Sequence, residues 1–116
     1  MVIAGTVDVD PSRRDAALEA AKRPMAATRA MPGCSEYVWS ADPLLPGRIH
    51  VFERWSSREH LEAHFQSPHY PAMRDCISAY GIVGLDIAKY RVDLREPVYD
   101  PQGKPRADFF TDEERA

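Results

Sequence analysis

The sequence contains only two cysteines, Cys34 and Cys76, and neither belongs to a CxxC motif. Two lone thiols far apart in the chain are typical of reduced intracellular residues, and they favour neither a disulfide framework nor a zinc site. The six glycines form neither GxGxxG nor GxxxxGK[ST], so the usual signs of a dinucleotide or nucleoside triphosphate site are missing. We therefore expect no cofactor that leaves such a fingerprint.

The chain also lacks a basic excess and a long hydrophobic run. Its 15 basic and 18 acidic residues are interspersed and give a net charge of −3, so no basic stripe is present and we expect no nucleic-acid partner. Near the N-terminus, acidic residues come before any apolar run long enough for a secretory signal or a membrane span. These absences predict a cytoplasmic protein without a membrane partner, and 116 residues have room for one compact domain.

Hydrophobic periodicity and turn residues predict an alternation of strands and helices. Asp10 and Pro11 are a good start for the first helix, and Pro24 is expected to bend or split it. Ser56 and Glu59 match the capping box that precedes a helix. The predicted strands are residues 2–9, 35–40, 48–55 and 81–94, and the predicted helical segments are residues 11–31, 57–66 and 68–79.

The resulting order, β-α-β-β-α-β, is the ferredoxin-like arrangement of the α+β class, with helices on one face of a four-stranded antiparallel sheet. The third strand carries apolar residues on both faces, because Ile49, Val51 and Trp55 alternate with Phe52. Alternation alone does not decide which face meets the helices. The helices can cover only one of these two apolar faces. The simplest way to bury the other is to pack it against the same face of a second copy of the chain, so we predict a two-fold homodimer.

From Glu96 onward the composition changes to prolines, charges and the pair Phe109 and Phe110. We therefore divide the chain into a folded domain, residues 1–95, and an extended C-terminal arm outside the sheet, residues 96–116. Two interpretations of the arm stay open. It is a frayed tail, or its two phenylalanines dock on the partner subunit.

The segment "VFERWSSREHLEAHFQSPHY" resembles a motif of the antibiotic biosynthesis monooxygenase family. The motif is E-x-W, a short linker, and then H-x-x-S-x-x-[FY]. Its positions in this sequence are Glu53, Trp55, His64, Ser67 and Tyr70. The preceding "TRAMPGCSEYVW" is similar to the family's segment in which a helix ends at a Pro-Gly turn before the second strand. The resemblance covers residues 1–94.

This resemblance implies a dimeric α+β barrel built from two ferredoxin-like sheets, with a pocket between each sheet and its helices. The better-known family members are cofactor-independent oxygenases of phenols, hydroquinones and anthrone-type polyketides, so it also implies a small aromatic substrate and no cofactor. The haem-degrading branch of the same superfamily has a tryptophan where this chain has His64, and an iron-ligating histidine where it has Arg74. Haem degradation is therefore disfavoured.

His64 and Tyr70 are the predicted catalytic residues. His64 follows Leu61 by three positions and so borders the buried helix face, and an imidazole suits proton transfer near neutral pH. The Tyr70 hydroxyl can donate a hydrogen bond while its ring packs. Aromatic walls suit a flat substrate, and a cation suits an anionic one. The predicted substrate-binding residues are Trp39, Phe52, Trp55, His60, Phe65 and Arg74.

Several alternatives accompany these assignments. His60 and His64 are four residues apart on a helix and can share a divalent ion, but zinc needs a third ligand that the sequence does not place there, so no metal site is predicted. Glu53 is interpreted as an ion-pair partner, either of the neighbourhood of Arg54 or of the other subunit, with a pocket carboxylate as the alternative. The leading function is a monooxygenase acting on a small phenolic or quinol-like molecule. The alternatives are a non-catalytic barrel that binds a hydrophobic ligand or a protein, and an isomerase or cyclase.

Overall fold

The computed structural model describes residues 1–111 of the chain. The elements are β1 (Val2–Val9), α1 (Arg14–Arg29), β2 (Cys34–Ala41), β3 (Arg48–Trp55), α2 (Arg58–Gln66), α3 (His69–Ser78) and β4 (Ile82–Tyr90). The four strands form one antiparallel sheet in the order β2-β3-β1-β4. The predicted ferredoxin-like α+β fold is confirmed, and its second helical region consists of α2 and α3.

The first helix begins later than predicted, and it is not split at Pro24. It begins at residue 14 because the Asp10 carboxylate accepts hydrogen bonds from the backbone N–H and the hydroxyl of Ser12, at 2.8 and 2.6 Å, and so holds residues 10–13 in a turn. Pro24 does not split the helix, which is continuous from residue 14 to residue 29. No helix formed by residues 1–111 is both long enough and apolar enough to cross a membrane.

Two other element boundaries also differ from the predicted ones. The helix cap is Ser57, not the predicted Ser56, because the Ser57 hydroxyl accepts the backbone N–H of His60 at 3.1 Å. The last strand ends at Tyr90, not at residue 94, because Tyr90 pairs with Val2 and β1 has no further strand residue to offer as a partner.

The hydrophobic core lies between one face of the sheet and the helices. Alternation along β3 turns Ile49, Val51 and Trp55 to this side, and the small residues Ala17 and Ala21 let α1 approach the sheet closely. Full burial of a side chain such as Ile49 or Val51 contributes about 1.5–3 kcal/mol to the stability of the fold. The buried apolar residues are Ile3, Val7, Val9, Ala17, Ala21, Tyr37, Ile49, Val51, Trp55, Leu61, Met73 and Ile77.

The opposite face of the sheet, here called the open face, carries an apolar centre between charged pairs. Arg48 binds Asp8 with nitrogen–oxygen distances of 2.9 and 3.0 Å, and the His50 ring lies 2.6 Å from the Asp42 carboxylate. No helix of the described residues packs over the centre of this face. Its apolar residues are Val2, Ala4, Val38, Phe52, Ala88 and Tyr90, all half-buried or exposed.

Residues 96–111 form a hydrogen-bonded loop outside the four strands. The Glu96 carboxylate accepts the backbone N–H groups of Phe110 and Thr111 at 3.0 and 3.1 Å, and also the Thr111 hydroxyl. The Phe109 side chain is 56% exposed, whereas Phe110 is half-buried beneath the Arg106 guanidinium. The last part of the predicted arm, residues 112–116, lies outside the described residues.

Candidate functional site

A cavity of about 250 Å³ lies between the helix-facing side of the sheet and helices α2 and α3. All four strands and both helices contribute to its wall, which is mainly apolar. This volume is near the lower end for small-molecule sites, so it suits one or two aromatic rings better than a large polycycle. The lining residues are Ile3, Val7, Tyr37, Trp39, Glu53, His64, Tyr70, Met73, Arg74, Ile77, Ile82, Leu85 and Ile87.

His64 projects from the last turn of α2 into this cavity and is only 2% exposed. Its ring stacks on Trp55, with 4.8 Å between ring centroids, and the edges of Tyr37 and Tyr70 approach it at 5.8 and 6.0 Å. The buried Nδ1 atom has no hydrogen-bond partner within residues 1–111. Burial, with a smaller contribution from His69, lowers the pKa of His64 to about 4. The imidazole is therefore neutral at pH 7, and the hydrogen-bonding capacity of its buried Nδ1 is unused by the described residues.

Glu53 faces the same cavity from β3 and is 7% exposed. Its carboxyl oxygen Oε1 accepts a hydrogen bond from the indole N–H of Trp55 at 3.0 Å. Burial raises the pKa of Glu53, and this hydrogen bond offsets the rise only in part. The predicted ion pair near Arg54 is not formed, because the described salt bridges include none to Glu53 and Arg54 lies on the open face, 4.0 Å from Glu36.

The polar groups of β2 form another part of the wall. Burial strongly raises the pKa of Tyr37, whose hydroxyl lies close to Trp39 and Thr28. Neither the Trp39 indole nitrogen nor the Thr28 hydroxyl makes a hydrogen bond of good geometry to a residue in the range 1–111. A buried donor without a partner costs free energy, so a ligand oxygen that reached the Trp39 N–H would recover that cost.

Tyr70 and Arg74 of α3 form the polar rim of the cavity. Tyr70 is 39% exposed, and the Arg74 guanidinium lies 5.8 Å from the centre of its ring. The Arg74 Nε donates to the Asp75 carboxylate at 3.2 Å. The rim therefore combines a phenol hydroxyl with a positive charge, which suits an anionic group on a ligand.

Four of the predicted site residues line the cavity, namely Trp39, His64, Tyr70 and Arg74. Phe52 does not, because it lies on the open face, where it pairs with Val38 and Ala4. Trp55 is 1% exposed and lies beneath the His64 ring, so it supports the site without forming its surface.

His60 and Phe65 also lie outside the cavity lining. The His60 Nδ1 is 2.7 Å from the Ser57 hydroxyl, and its ring fills the space over Gly33, where an added Cβ would lie 2.2 Å from the ring. Gly33 adopts a φ of +80° in the turn before β2. Because the His60 ring packs directly against this glycine, it supports that turn. Phe65 is 42% exposed and packs its ring against Tyr70, with centroids 5.2 Å apart.

The sequence prediction missed most of the apolar lining. Strand alternation places Tyr37 and Trp39 on one face, so choosing one as a wall residue should have included the other. The same alternation places Phe52 and Trp55 on opposite faces, so they could not both face one cavity. The lining residues not assigned to substrate binding or catalysis were Ile3, Val7, Tyr37, Glu53, Met73, Ile77, Ile82, Leu85 and Ile87.

The fold and the cavity define a ferredoxin-like α+β domain with an apolar cavity between its sheet and its helices. The model of the antibiotic biosynthesis monooxygenase family matches residues 1–75. The chain belongs to that family.

Solved structures of similar proteins support the fold assignment. A candidate antibiotic biosynthesis monooxygenase from Deinococcus radiodurans is 23% identical, with a TM-score of 0.73 over 84% of this chain and 97% of that one. Rv0793 from Mycobacterium tuberculosis is 27% identical, with a TM-score of 0.66 over 82% of this chain and 96% of that one. Protein sll1783 from Synechocystis, which is uncharacterized, is 29% identical over 70 residues, 60% of this chain and 48% of its own length. The match thus spans about half of that curated relative.

Proposed function

We propose that this protein is a cofactor-independent monooxygenase that oxidises a small phenolic or quinol-like aromatic compound with dioxygen. The observation that carries the proposal is the buried His64, whose Nδ1 has no partner among residues 1–111 and which lines an apolar cavity of about 250 Å³. A neutral imidazole with a free nitrogen can accept the proton of a substrate hydroxyl. The aromatic edges around it suit a flat molecule.

The reaction needs little from the protein except a dry site and proton transfers. A phenol that has lost its proton to His64 can pass one electron to dioxygen, and the two radicals then join at a ring carbon. Loss of water from the resulting hydroperoxide leaves a quinone carbonyl. The substrate supplies all four electrons that reduce dioxygen, so one oxygen atom enters the quinone and the other leaves as water.

The rim residues have complementary roles in this proposal. The Tyr70 hydroxyl donates a hydrogen bond to the substrate, and its ring covers the edge of His64. Arg74 attracts a phenolate or another anionic substituent to the mouth of the cavity. Trp39 contributes an aromatic wall and an indole N–H for a substrate oxygen.

Oxygen uptake tests the proposal. Metal-stripped protein should consume dioxygen with members of a panel of hydroquinones, naphthols and anthrones, above the autoxidation measured without protein. The same compounds should quench the fluorescence of the two tryptophans, because Trp39 lines the cavity and Trp55 lies beneath His64.

The outcomes separate the proposed function from its alternatives. Quenching without enzyme-dependent oxygen uptake across the panel would contradict catalysis and favour a ligand-binding barrel. Conversion of a compound without loss of oxygen would favour an isomerase or a cyclase. Uptake that disappears on metal removal and returns with added metal would contradict cofactor independence.

We also propose that two copies associate through the open face. That face has an apolar centre flanked by charged pairs, which is the composition expected of a subunit interface. The exposed Phe109 is expected to contact the second subunit as well.

Sedimentation velocity checks the dimer. The wild-type chain is expected to sediment as a dimer, and Phe52→Glu is expected to shift it to a monomer, because a charge at the centre of the interface would be buried without a partner. Leu44→Glu is the matched control, since Leu44 is 87% exposed in the loop between β2 and β3 and belongs to none of the four strands. A monomeric wild-type protein, or a dimer that tolerates Phe52→Glu, would contradict this interface.

A further inference from the structure

The buried carboxyl of Glu53 has no assigned task, and its surroundings are unusual for an acidic side chain. Its neighbours in the sheet are Ile3 on β1 and Tyr37 on β2, and only 7% of the residue is exposed. Its one described hydrogen bond comes from the indole N–H of Trp55 at 3.0 Å. That bond satisfies one oxygen, and the residue also forms part of the cavity wall.

No cation within residues 1–111 forms a salt bridge with this carboxyl. The nearest arginine in sequence, Arg54, points to the open face, and the Arg29 guanidinium donates instead to the Tyr37 carbonyl oxygen at 2.7 Å. A buried carboxylate without a cationic partner is costly, and the cost is avoided when the carboxyl keeps its proton. Burial accordingly raises the pKa of Glu53.

The titratable and charged groups on the helix-facing side around Glu53 come from β2, β4, α2 and α3, since β1 contributes only Ile3 and Val7 to the cavity. None of them is within salt-bridge distance of its carboxyl among the described pairs. They are Cys34 and Tyr37 on β2, Lys89 on β4, His64 on α2, and Tyr70 and Arg74 on α3.

We infer that Glu53 is the acid of this site: it faces the bound molecule as a neutral carboxyl group, donates a hydrogen bond to a ligand oxygen and protonates the peroxide formed there. This inference rests on the proposed function for its chemical step. The cavity then contains a base, His64, and an acid, Glu53, each uncharged before reaction. Trp55 connects them, because it stacks on one and donates a hydrogen bond to the other.

The proton transfers balance with 1-naphthol as the substrate. His64 takes the hydroxyl proton, dioxygen adds at the ring carbon opposite the oxygen, and Glu53 protonates the outer peroxide oxygen. The Glu53 carboxylate then removes the proton from that ring carbon, the O–O bond breaks, and the leaving hydroxide takes the proton held by His64. The products are 1,4-naphthoquinone and water, and both residues return to their starting states.

Glu53→Gln tests this role with little change of shape. The amide oxygen still accepts the Trp55 N–H, and the side chain can still donate a hydrogen bond, but it cannot transfer a proton. With the first panel compound that supports enzyme-dependent oxygen uptake, we expect kcat to fall by about 10²-fold while KM stays within a few-fold. With a hydroquinone as the substrate, part of the oxygen consumed should be released as hydrogen peroxide together with the unoxygenated quinone, the two-electron products of the same radical pair. Glu53→Asp should recover part of kcat, and Glu19→Gln, a change on the exposed surface of α1, should behave as wild type.

Infrared difference spectroscopy with bound 1-naphthol gives a readout that does not depend on turnover. The wild-type protein should display the carbonyl stretch of a protonated carboxyl at neutral pH, and Glu53→Gln should lack it. If no panel compound consumes oxygen but this band is present and shifts on 1-naphthol binding, the proposed oxygenase fails and the neutral carboxyl stands as a ligand donor. Absence of the band, or unchanged kcat and product in a folded Glu53→Gln protein, would overturn the inference and leave Glu53 as a structural acceptor for Trp55.

Discussion

Replacement of His64 by phenylalanine is expected to lower kcat for the panel substrate by about 10²- to 10⁴-fold, the range attributed to a positioned acid–base group. Phenylalanine keeps a ring stacked on Trp55 and so preserves the packing at this position, but it removes the nitrogen that accepts the substrate proton. KM should change much less, because the rest of the cavity wall remains. Initial rates of oxygen uptake, corrected for autoxidation, measure this loss.

His60→Gln is the matched control for the His64 prediction. His60 lies one turn earlier on α2, but its ring packs over Gly33 and its Nδ1 contacts the Ser57 hydroxyl, away from the cavity. The variant should retain kcat even if its stability decreases slightly. Loss of kcat in His60→Gln, or wild-type kcat in His64→Phe, would contradict the assignment of proton transfer to His64.

Acidification from pH 6.5 to pH 4 is expected to reduce the free energy of unfolding by up to about 3 kcal/mol through His64 alone. Its pKa is lowered from 6.5 to about 4 in the folded chain. Above about pH 7.5 the imidazole is neutral in both states and contributes almost no pH dependence. As the pH falls toward 4, the unfolded chain binds a proton that the folded chain does not, so unfolding is favoured; below pH 4 the effect levels off.

Urea unfolding of wild type and His64→Phe between pH 4 and pH 7 isolates this contribution. Glu53 acts in the opposite direction, because a raised pKa in the folded chain makes stability decrease as the pH rises above 4.5. Since Glu53 is present in both proteins, the difference between their free energies of unfolding reports His64. The same pH slope in wild type and variant would contradict a buried, neutral histidine.

The order of strands and helices could be predicted because each local pattern agreed with the fold. The β-branched run of β1, the turn residues before β2 and β3, and the serine cap of α2 depend on neighbours in sequence. The errors were also local. Pro24 remains within α1, and the strand prediction beyond Tyr90 failed because residues 91–94 find no pairing partner on β1.

The site could be predicted only in part because it depends on the direction of side chains. His64 and Tyr70 were found through a family motif, and Trp39 and Arg74 through their chemical type. Phe52 was named together with Trp55 because the sequence left the helix-facing side of β3 open, and the structure places Phe52 on the open face.

By itself, the sequence determined the ferredoxin-like order of elements, the alternating faces of β3 and the family motif, because these follow from backbone periodicity and local residue type. Only the tertiary structure decided that Glu53 and His64 share one apolar cavity while Phe52 and His60 lie outside it. The reason is physical: residues distant in sequence meet only when the helices cover one face of the sheet. That same burial removes water from both side chains, and it raises the pKa of Glu53 and lowers the pKa of His64, so each neutral form is favoured.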